Sequence, residues 1–219
     1  MIIQNRFLDK GHPNRPGKKL EALKAIVFHY TANDSPEMGA LNTIKYFNRK
    51  YIRTADSIFF ERNGMERFRF GSTHYIADAF DVYCCIPPDE IAYACNDRSL
   101  PYTKEWKGQQ PAASKIFQNR QNFQSISIEI CNNDIIPQSN KDWEMACNNA
   151  IEWAIEFIKW NSKKINLEIS LNPQNFVTMR NDEILLLRHF DLTGKICPKP
   201  FIDNPDSWHV FVEKIAKAL

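Results

Sequence analysis

The sequence predicts one α/β domain, and three observations lead there. Residues 25–30, AIVFHY, form the near-continuous apolar run of a strand buried on both faces, and residues 125–131, SISIEIC, alternate with period two. Between Ser139 and Trp160 apolar residues recur at helical spacing. The 219 residues contain no internal repeat, no low-complexity segment and no linker-like stretch, and their number suits a single domain. A composition of 43% hydrophobic and 25% charged residues belongs to an ordinary folded chain. The net charge of +2 is too small to argue for nucleic acid by field alone. No apolar run approaches the ~18–20 residues a bilayer span requires. No nucleic acid or membrane partner is therefore expected.

The elements follow in order. The first 24 residues scatter charge throughout and lack the continuous apolar stretch of a secretory signal, which predicts cytoplasmic synthesis without a signal peptide. Arg15, Lys18 and Lys19 read as a solvated entry segment. AIVFHY is a central strand. Ser35 as N-cap with Pro36 at the first position predicts a helix to about Arg49, with Met38, Leu41, Ile44 and Phe47 facing inward. From Thr54 to Ile91 the pieces SIFFE, HYIAD, VYCCI and EIAYAC predict short strands separated by turns. Residues 96–124 are polar and long enough for a loop insertion, which could wall a peptide groove with Tyr102 and Trp106 or simply be solvated.

SISIEIC puts Ile126, Ile128 and Ile130 on one face of a strand and Ser127, Glu129 and Cys131 on the other. Ser139, with Asp142 three residues on, caps the clearest helix, whose stripe is Trp143, Cys147, Ala150, Ile151, Ala154, Ile155 and Ile158. Residues 161–187 are less legible. RHFDLTGKICPKPF, residues 188–201, reads as a loop, and Asn204-Pro205 opens a last helix with Trp208, Phe211, Val212 and Ile215 inward. The six cysteines show no framework spacing, so free thiols are expected.

Three side chains stand out as soft-metal ligands: His29 near the end of the first buried strand, and His189 and Cys197 eight positions apart. Two imidazoles and a thiolate with a fourth position open suit catalytic zinc. Spacing alone leaves the alternative of a satisfied core histidine open, because H-x7-C is not a zinc-finger spacing.

The motifs FHYTAN at 28–33, STHYIAD at 72–78, IPPDEIAY at 86–93, SISIEICN at 125–132 and RHFDLTGKICPKPF at 188–201 occur in a telling order. The sequence resembles, over most of its length, the zinc-dependent N-acetylmuramoyl-L-alanine amidases, a family that includes endolysins, autolysins and peptidoglycan recognition proteins. The resemblance implies a single amidase domain over 1–219, a central mixed β-sheet flanked by helices on both faces, and zinc in a surface groove. It implies one zinc per chain on His29, His189 and Cys197, with water as the fourth ligand. It further implies that Glu129 moves protons to and from water and the leaving amine, and that Lys195 stabilises the oxyanion. On base rates alone Glu129 is a solvated strand glutamate and Lys195 a surface lysine.

Two departures qualify the carry-over. Thr73 stands where some family members have a tyrosine, and Ala94 where relatives often have a histidine. His74 then either orients the zinc water or is a structural hydrogen-bonding histidine, and Thr73 and Tyr93 are candidates for substrate or supporting contacts. The implied partner is peptidoglycan, cut between N-acetylmuramic acid and L-alanine by a monomer that reaches the wall after release from the cell. The alternatives are a non-catalytic recognition module on the same fold, which tends to lack the cysteine ligand, and a Cys/His thiol hydrolase using Cys197 or Cys131.

Overall fold

The computed structural model describes residues 2–32, 39–48, 60–62, 65–67, 71–95, 117, 120–131, 140–173 and 179–219. In chain order the strands are β1 (Ile3–Asn5), β2 (Ala25–Tyr30), β3 (Phe60–Arg62), β4 (Met65–Arg67), β5 (Tyr75–Ala77), β6 (Val82–Cys84), β7 (Ser125–Ile130), β8 (Lys164–Ile165) and β9 (Glu183–Arg188). The helices are α1 (Ala40–Phe47), α2 (Gln121–Gln124), α3 (Asn140–Trp160), α4 (Leu167–Leu171), α5 (His189–Thr193), α6 (Lys199–Asp203) and α7 (Pro205–Lys217). Among the described residues the main sheet has seven strands in the order β1-β6-β5-β7-β2-β9-β8, with β3 and β4 forming a separate antiparallel pair. Within the main sheet β5 and β6 pair antiparallel and every other neighbouring pair is parallel, so the sheet is mixed.

Helices cover both faces. On one, Ile26 and Phe28 of β2, Ile126, Ile128 and Ile130 of β7 and Leu186 of β9 pack under α3 and α7, with Trp153, Phe157, Trp208 and Phe211 filling the layer. The stripe of α3 is wider than its sequence spacing suggests, because Ala146, Trp153 and Phe157 are buried with it. Helix α7 starts as expected: Asn204 caps it by accepting from the Ser207 N–H at 3.3 Å, and Pro205 takes the first position. On the other face Ala25, Val27, Leu185 and Leu187 pack with Cys95, Phe117 and Leu192, and beside them Ile76, Tyr83, Cys85 and Cys131 pack under Ala40 of α1.

Several expectations are corrected. Within the described residues helix α1 runs from Ala40 with extended Gly39 as its N-cap, and Leu41, expected to face inward, points outward at 47% exposure while Thr43 is buried. Its first turn is capped from elsewhere in the chain. Asp78 Oδ2 accepts from the Ala40 N–H at 3.2 Å, while Oδ1 accepts from the N–H groups of Phe80 at 2.9 Å and Asp81 at 3.0 Å in the β5–β6 turn. One carboxylate thus closes a hairpin and starts a helix. Asp78→Ala should cost about 2 kcal/mol, a lost cap plus donors left without acceptors, and lower the urea midpoint without changing its slope. An unchanged midpoint would contradict the assignment.

EIAYAC is not a strand. Its backbone donors go instead to the entry segment and to side chains: Ile91 N–H to Lys18 O at 2.8 Å, Tyr93 N–H to Ser72 Oγ at 3.0 Å, and Cys95 N–H to Asn122 Oδ1 at 2.7 Å. Arg15 is buried rather than solvated, because Glu90 takes its guanidinium at 2.7 and 2.9 Å and Leu8 O accepts from Nη1 at 2.8 Å. Residues 188–201 fold as α5 and the start of α6 rather than as a plain loop, and β9 emerges from the stretch that was hard to read. The Ser35, Pro36 and Ser139 caps, and Tyr102 and Trp106 of the insertion, lie outside the described residues. All six cysteines are free thiols and buried.

Candidate metal centre and active site

Parallel strands leave their carboxyl ends as a place for ligands, and His29 stands there as the penultimate residue of β2. Strand register sets its neighbour: Ala25, Val27 and His29 pair with Ser125, Ser127 and Glu129 of β7, so this face carries a row of polar groups beside the Val27–Leu187 cluster. Along β7 the isoleucines go to the other face, as period two requires.

Strand β9 ends one residue before His189, which opens α5. Arg188 holds that junction: the Asp191 carboxylate accepts from the Arg188 N–H at 2.7 Å and from its guanidinium at 2.8 Å, and the guanidinium also reaches Phe201 O at 3.3 Å. After a single turn Gly194 adopts φ 74°, the left-handed conformation that glycine takes without strain, and its N–H donates to Phe190 O at 2.8 Å. The chain doubles back so that the Phe190 N–H donates to Cys197 O at 2.9 Å. The eight-position spacing of His189 and Cys197 is thereby the span of one helical turn, its cap and the return.

The donor atoms of His29, His189 and Cys197 lie within 4.8 Å of one another, and all three residues are buried. The imidazole centroids are 4.6 Å apart, and Cys197 Sγ is 3.8 Å from His29 Nδ1. Burial, with His189 and Lys195 adding to it, holds the His29 pKa well below its usual value, so the ring is neutral and offers a lone pair. Burial also pushes the Cys197 thiol well up, an effect to which Glu129 adds. A bare thiol there resists ionisation, and a cation between the three donors would reverse that. Two imidazoles and one thiol at mutual distances a single small ion can bridge fit a zinc site with an open position.

Glu129 is beside the cluster. Its Oε2 is buried without a hydrogen-bond partner among the described residues. Burial raises its pKa to about 8, with the nearby Lys195 charge pulling part of the way back. Lys195 is half-buried two positions before Cys197. The His74 ring bridges two backbone groups: Nδ1 accepts from the Ser127 N–H at 3.0 Å, so Nε2 carries the proton and donates to Glu90 O at 2.9 Å. Burial lowers its pKa to about 4, which keeps it neutral. Thr73 is fully buried with Oγ1 2.9 Å from Ser127 O and 3.2 Å from Tyr75 O. Tyr93 is half-buried and exchanges hydrogen bonds with Ser72. The structure also brings in Cys95, which the sequence reading did not single out and whose Sγ is 3.8 Å from His29 Nε2. No local signal marks it, since its partner is 66 positions away.

Comparison with known proteins adds three findings. The family profile described as N-acetylmuramoyl-L-alanine amidase matches residues 19–200. The chain is 29% identical over 218 residues to N-acetylmuramoyl-L-alanine amidase CwlL of Bacillus licheniformis, covering all of this chain and 47% of that protein. It is 26% identical over 214 residues to N-acetylmuramoyl-L-alanine amidase BlyA of Bacillus subtilis, covering 98% of this chain and 47% of that protein. The chain therefore spans about half the length of these relatives. Among solved structures, PlyL superposes with a TM-score of 0.63 at 20% identity, over 100% of this chain and 99% of that one. The catalytic domain of XlyA superposes at 0.59 and 22% identity, over 97% and 99%. At these identities the likeness carries the single-domain α/β fold. Among the described residues no helix is long and apolar enough to cross a membrane.

Proposed function

The chain belongs to the N-acetylmuramoyl-L-alanine amidase family, and from that premise we propose that it is a zinc-dependent cell-wall lytic enzyme, of endolysin or autolysin type, that hydrolyses the amide bond between N-acetylmuramic acid and L-alanine in peptidoglycan. The observation that carries this reading is the convergence of His29, His189 and Cys197 next to a buried, partnerless carboxyl oxygen of Glu129.

In this reading His29, His189 and Cys197 hold one zinc per chain. When bound, zinc supplies Lewis acidity toward the scissile carbonyl and the attacking water. Glu129 accepts the proton of that water and returns it to the departing amine nitrogen. A carboxyl held with a buried oxygen beside the ligand cluster serves both transfers. Lys195, close enough to bias Glu129, presents a fixed cation to the oxygen that gains negative charge. His74 and Thr73 hold the β5–β7 backbone in register beneath the site, which makes them supports rather than substrate contacts. Tyr93, half-buried, is a substrate contact in this reading. The enzyme works as a monomer on wall polymer, and of the polar stretch 96–124, expected to be an insertion, Phe117 and Asn122 belong to the packed domain.

Product mapping tests the bond. Among the described residues the site brings one carboxyl, that of Glu129, to the ligand cluster, not the paired acids that glycoside cleavage needs. Digested peptidoglycan should release stem peptides with free L-alanine amino termini and no new reducing sugar ends, and EDTA should abolish that release. Fragments that keep muramic acid on L-alanine and are cut within the stem would make the enzyme an endopeptidase.

A further inference from the structure

The proposed chemistry leaves a second thiol beside His29 without a role. Cys95 is fully buried, and its Sγ is 3.8 Å from His29 Nε2, while Cys197 Sγ is 3.8 Å from Nδ1 of the same ring. The two nitrogens of one imidazole thus face two different sulfurs. A neutral imidazole has one lone pair and one N–H, and which nitrogen carries which is set by what the other one meets. His189 and Cys197 converge with His29 in one cluster to which Cys95 does not belong. A metal held there would draw on the nitrogen that faces Cys197, Nδ1, and the proton would then sit on Nε2, toward Cys95.

The surroundings of Cys95 suit an acceptor. Ser125 Oγ donates to Gln121 O at 2.7 Å, so toward Cys95 Sγ, 3.8 Å away, it can only accept. Ser127 Oγ is 3.3 Å from the same sulfur. The Cys95 S–H therefore has serine oxygens to point at, and a sulfur lone pair is left for the imidazole N–H. The sulfur is also fixed from its backbone, because Asn122 Oδ1 accepts from the N–H groups of Cys95 at 2.7 Å and Ala94 at 3.2 Å. Asn122, Ser125 and Ser127 come from one short run of chain that leads into β7 and carries Glu129 further on.

We propose that Cys95 is a positioning residue for the metal centre: it accepts from His29 Nε2–H, fixes the tautomer with the lone pair on Nδ1, and holds the ring at the angle at which Nδ1 meets the ion. The inference rests on the zinc reading above. Groups that orient a ligating histidine typically contribute ~10–100-fold to metal affinity.

Zinc affinity measured by competition with a chromophoric chelator tests it on the wild-type chain, Cys95→Val and Cys95→Ser. Valine fills the space with apolar atoms and removes the acceptor, so Cys95→Val should bind zinc ~10–100-fold more weakly. Serine restores an acceptor, so Cys95→Ser should recover most of that loss. In the cobalt-loaded proteins the thiolate-to-metal charge-transfer band should keep its full intensity in both variants, because Cys197 alone supplies the thiolate. Equal zinc affinity in wild type and Cys95→Val overturns the inference, and so does a charge-transfer band that falls in Cys95→Ser, which would make Cys95 a ligand. If Cys95→Val does not fold by circular dichroism, Cys95→Ala replaces it, and alanine binding as tightly as serine overturns the inference. A wild-type chain that takes up no zinc defeats the metal reading itself, whereas a zinc-binding wild type matched by the valine variant defeats this inference alone.

Discussion

Cys197→Ser should leave the purified protein with little zinc and almost no amidase activity, and His189→Ala should do the same. Apparent binding energies of ~10–16 kcal/mol for four-ligand structural zinc correspond to roughly 3 kcal/mol per ligand, or ~10²-fold in affinity for each donor removed. Thiolate is the softest donor in the set, and serine at the same position offers a hydroxyl that must lose its proton at far greater cost. Burial makes the loss harsher. His29, His189 and Cys197 are all buried, so their positions are fixed by packing and a neighbouring side chain cannot swing in to replace a lost donor. Elemental analysis after dialysis reads the outcome, with circular dichroism as the check on folding. Full zinc retention in both variants would remove the metal assignment and everything derived from it.

The same measurement separates the metal reading from a thiol mechanism. A nucleophilic cysteine works as thiolate and sits where its pKa is lowered. Here burial pushes both Cys197 and Cys131 well upward. Without a cation Cys197 is a poor nucleophile in spite of the imidazoles around it. A chelator should therefore silence the protein, whereas a thiol hydrolase would keep working.

What the sequence made legible was whatever is local. The period of SISIEIC determines which side of β7 carries Glu129, and Asn204-Pro205 starts α7, because both depend on residues a few positions apart. The hold on the Ala40 turn of α1 was not legible locally, because the carboxylate that accepts from its N–H, Asp78, arrives from a hairpin 38 positions on. EIAYAC has strand-forming residues, yet its donors are taken by Lys18, Ser72 and Asn122, so no ladder forms. Strand β9 escaped notice for the opposite reason: EILLLR lacks alternation and is flanked by charged residues, and a short apolar run of that kind reads equally as helix or strand. Arg15 looked solvated until Glu90, 75 positions away, closed on it.

The site divides along the same line. His29 could be noticed as a polar residue ending an apolar strand. His189 and Cys197 could be noticed as soft donors, but their spacing matched no known pattern, since it depends on a one-turn helix ended by left-handed Gly194. Their meeting with His29 is a product of the β2–β9 pairing, in which Phe28 stands opposite Arg188. Cys95 left no trace in the sequence, because its role depends on contacts with residues 30 to 66 positions distant.

Glu129→Gln should keep the fold and the zinc while losing at least ~10²-fold in turnover, the lower end of what a positioned acid–base group contributes. The fold should survive for a reason that can be checked separately. In the metal-free protein burial lifts the Glu129 pKa from its usual range to about 8. For a carboxyl this sign means that the folded state disfavours the charged form. The penalty is absent below the unfolded pKa, grows as pH rises from there, and is complete above about 8. Glutamine mimics the neutral acid and carries no such penalty, so the metal-free variant should be at least as stable as metal-free wild type at pH 7, and more clearly so at pH 9. It cannot take a proton from water or hand one to an amine. The predicted pattern is thus equal zinc, equal or higher metal-free stability that diverges with rising pH, and turnover down by two orders of magnitude. Near-normal turnover would return Glu129 to the status of a strand residue that happens to lie beside the cluster.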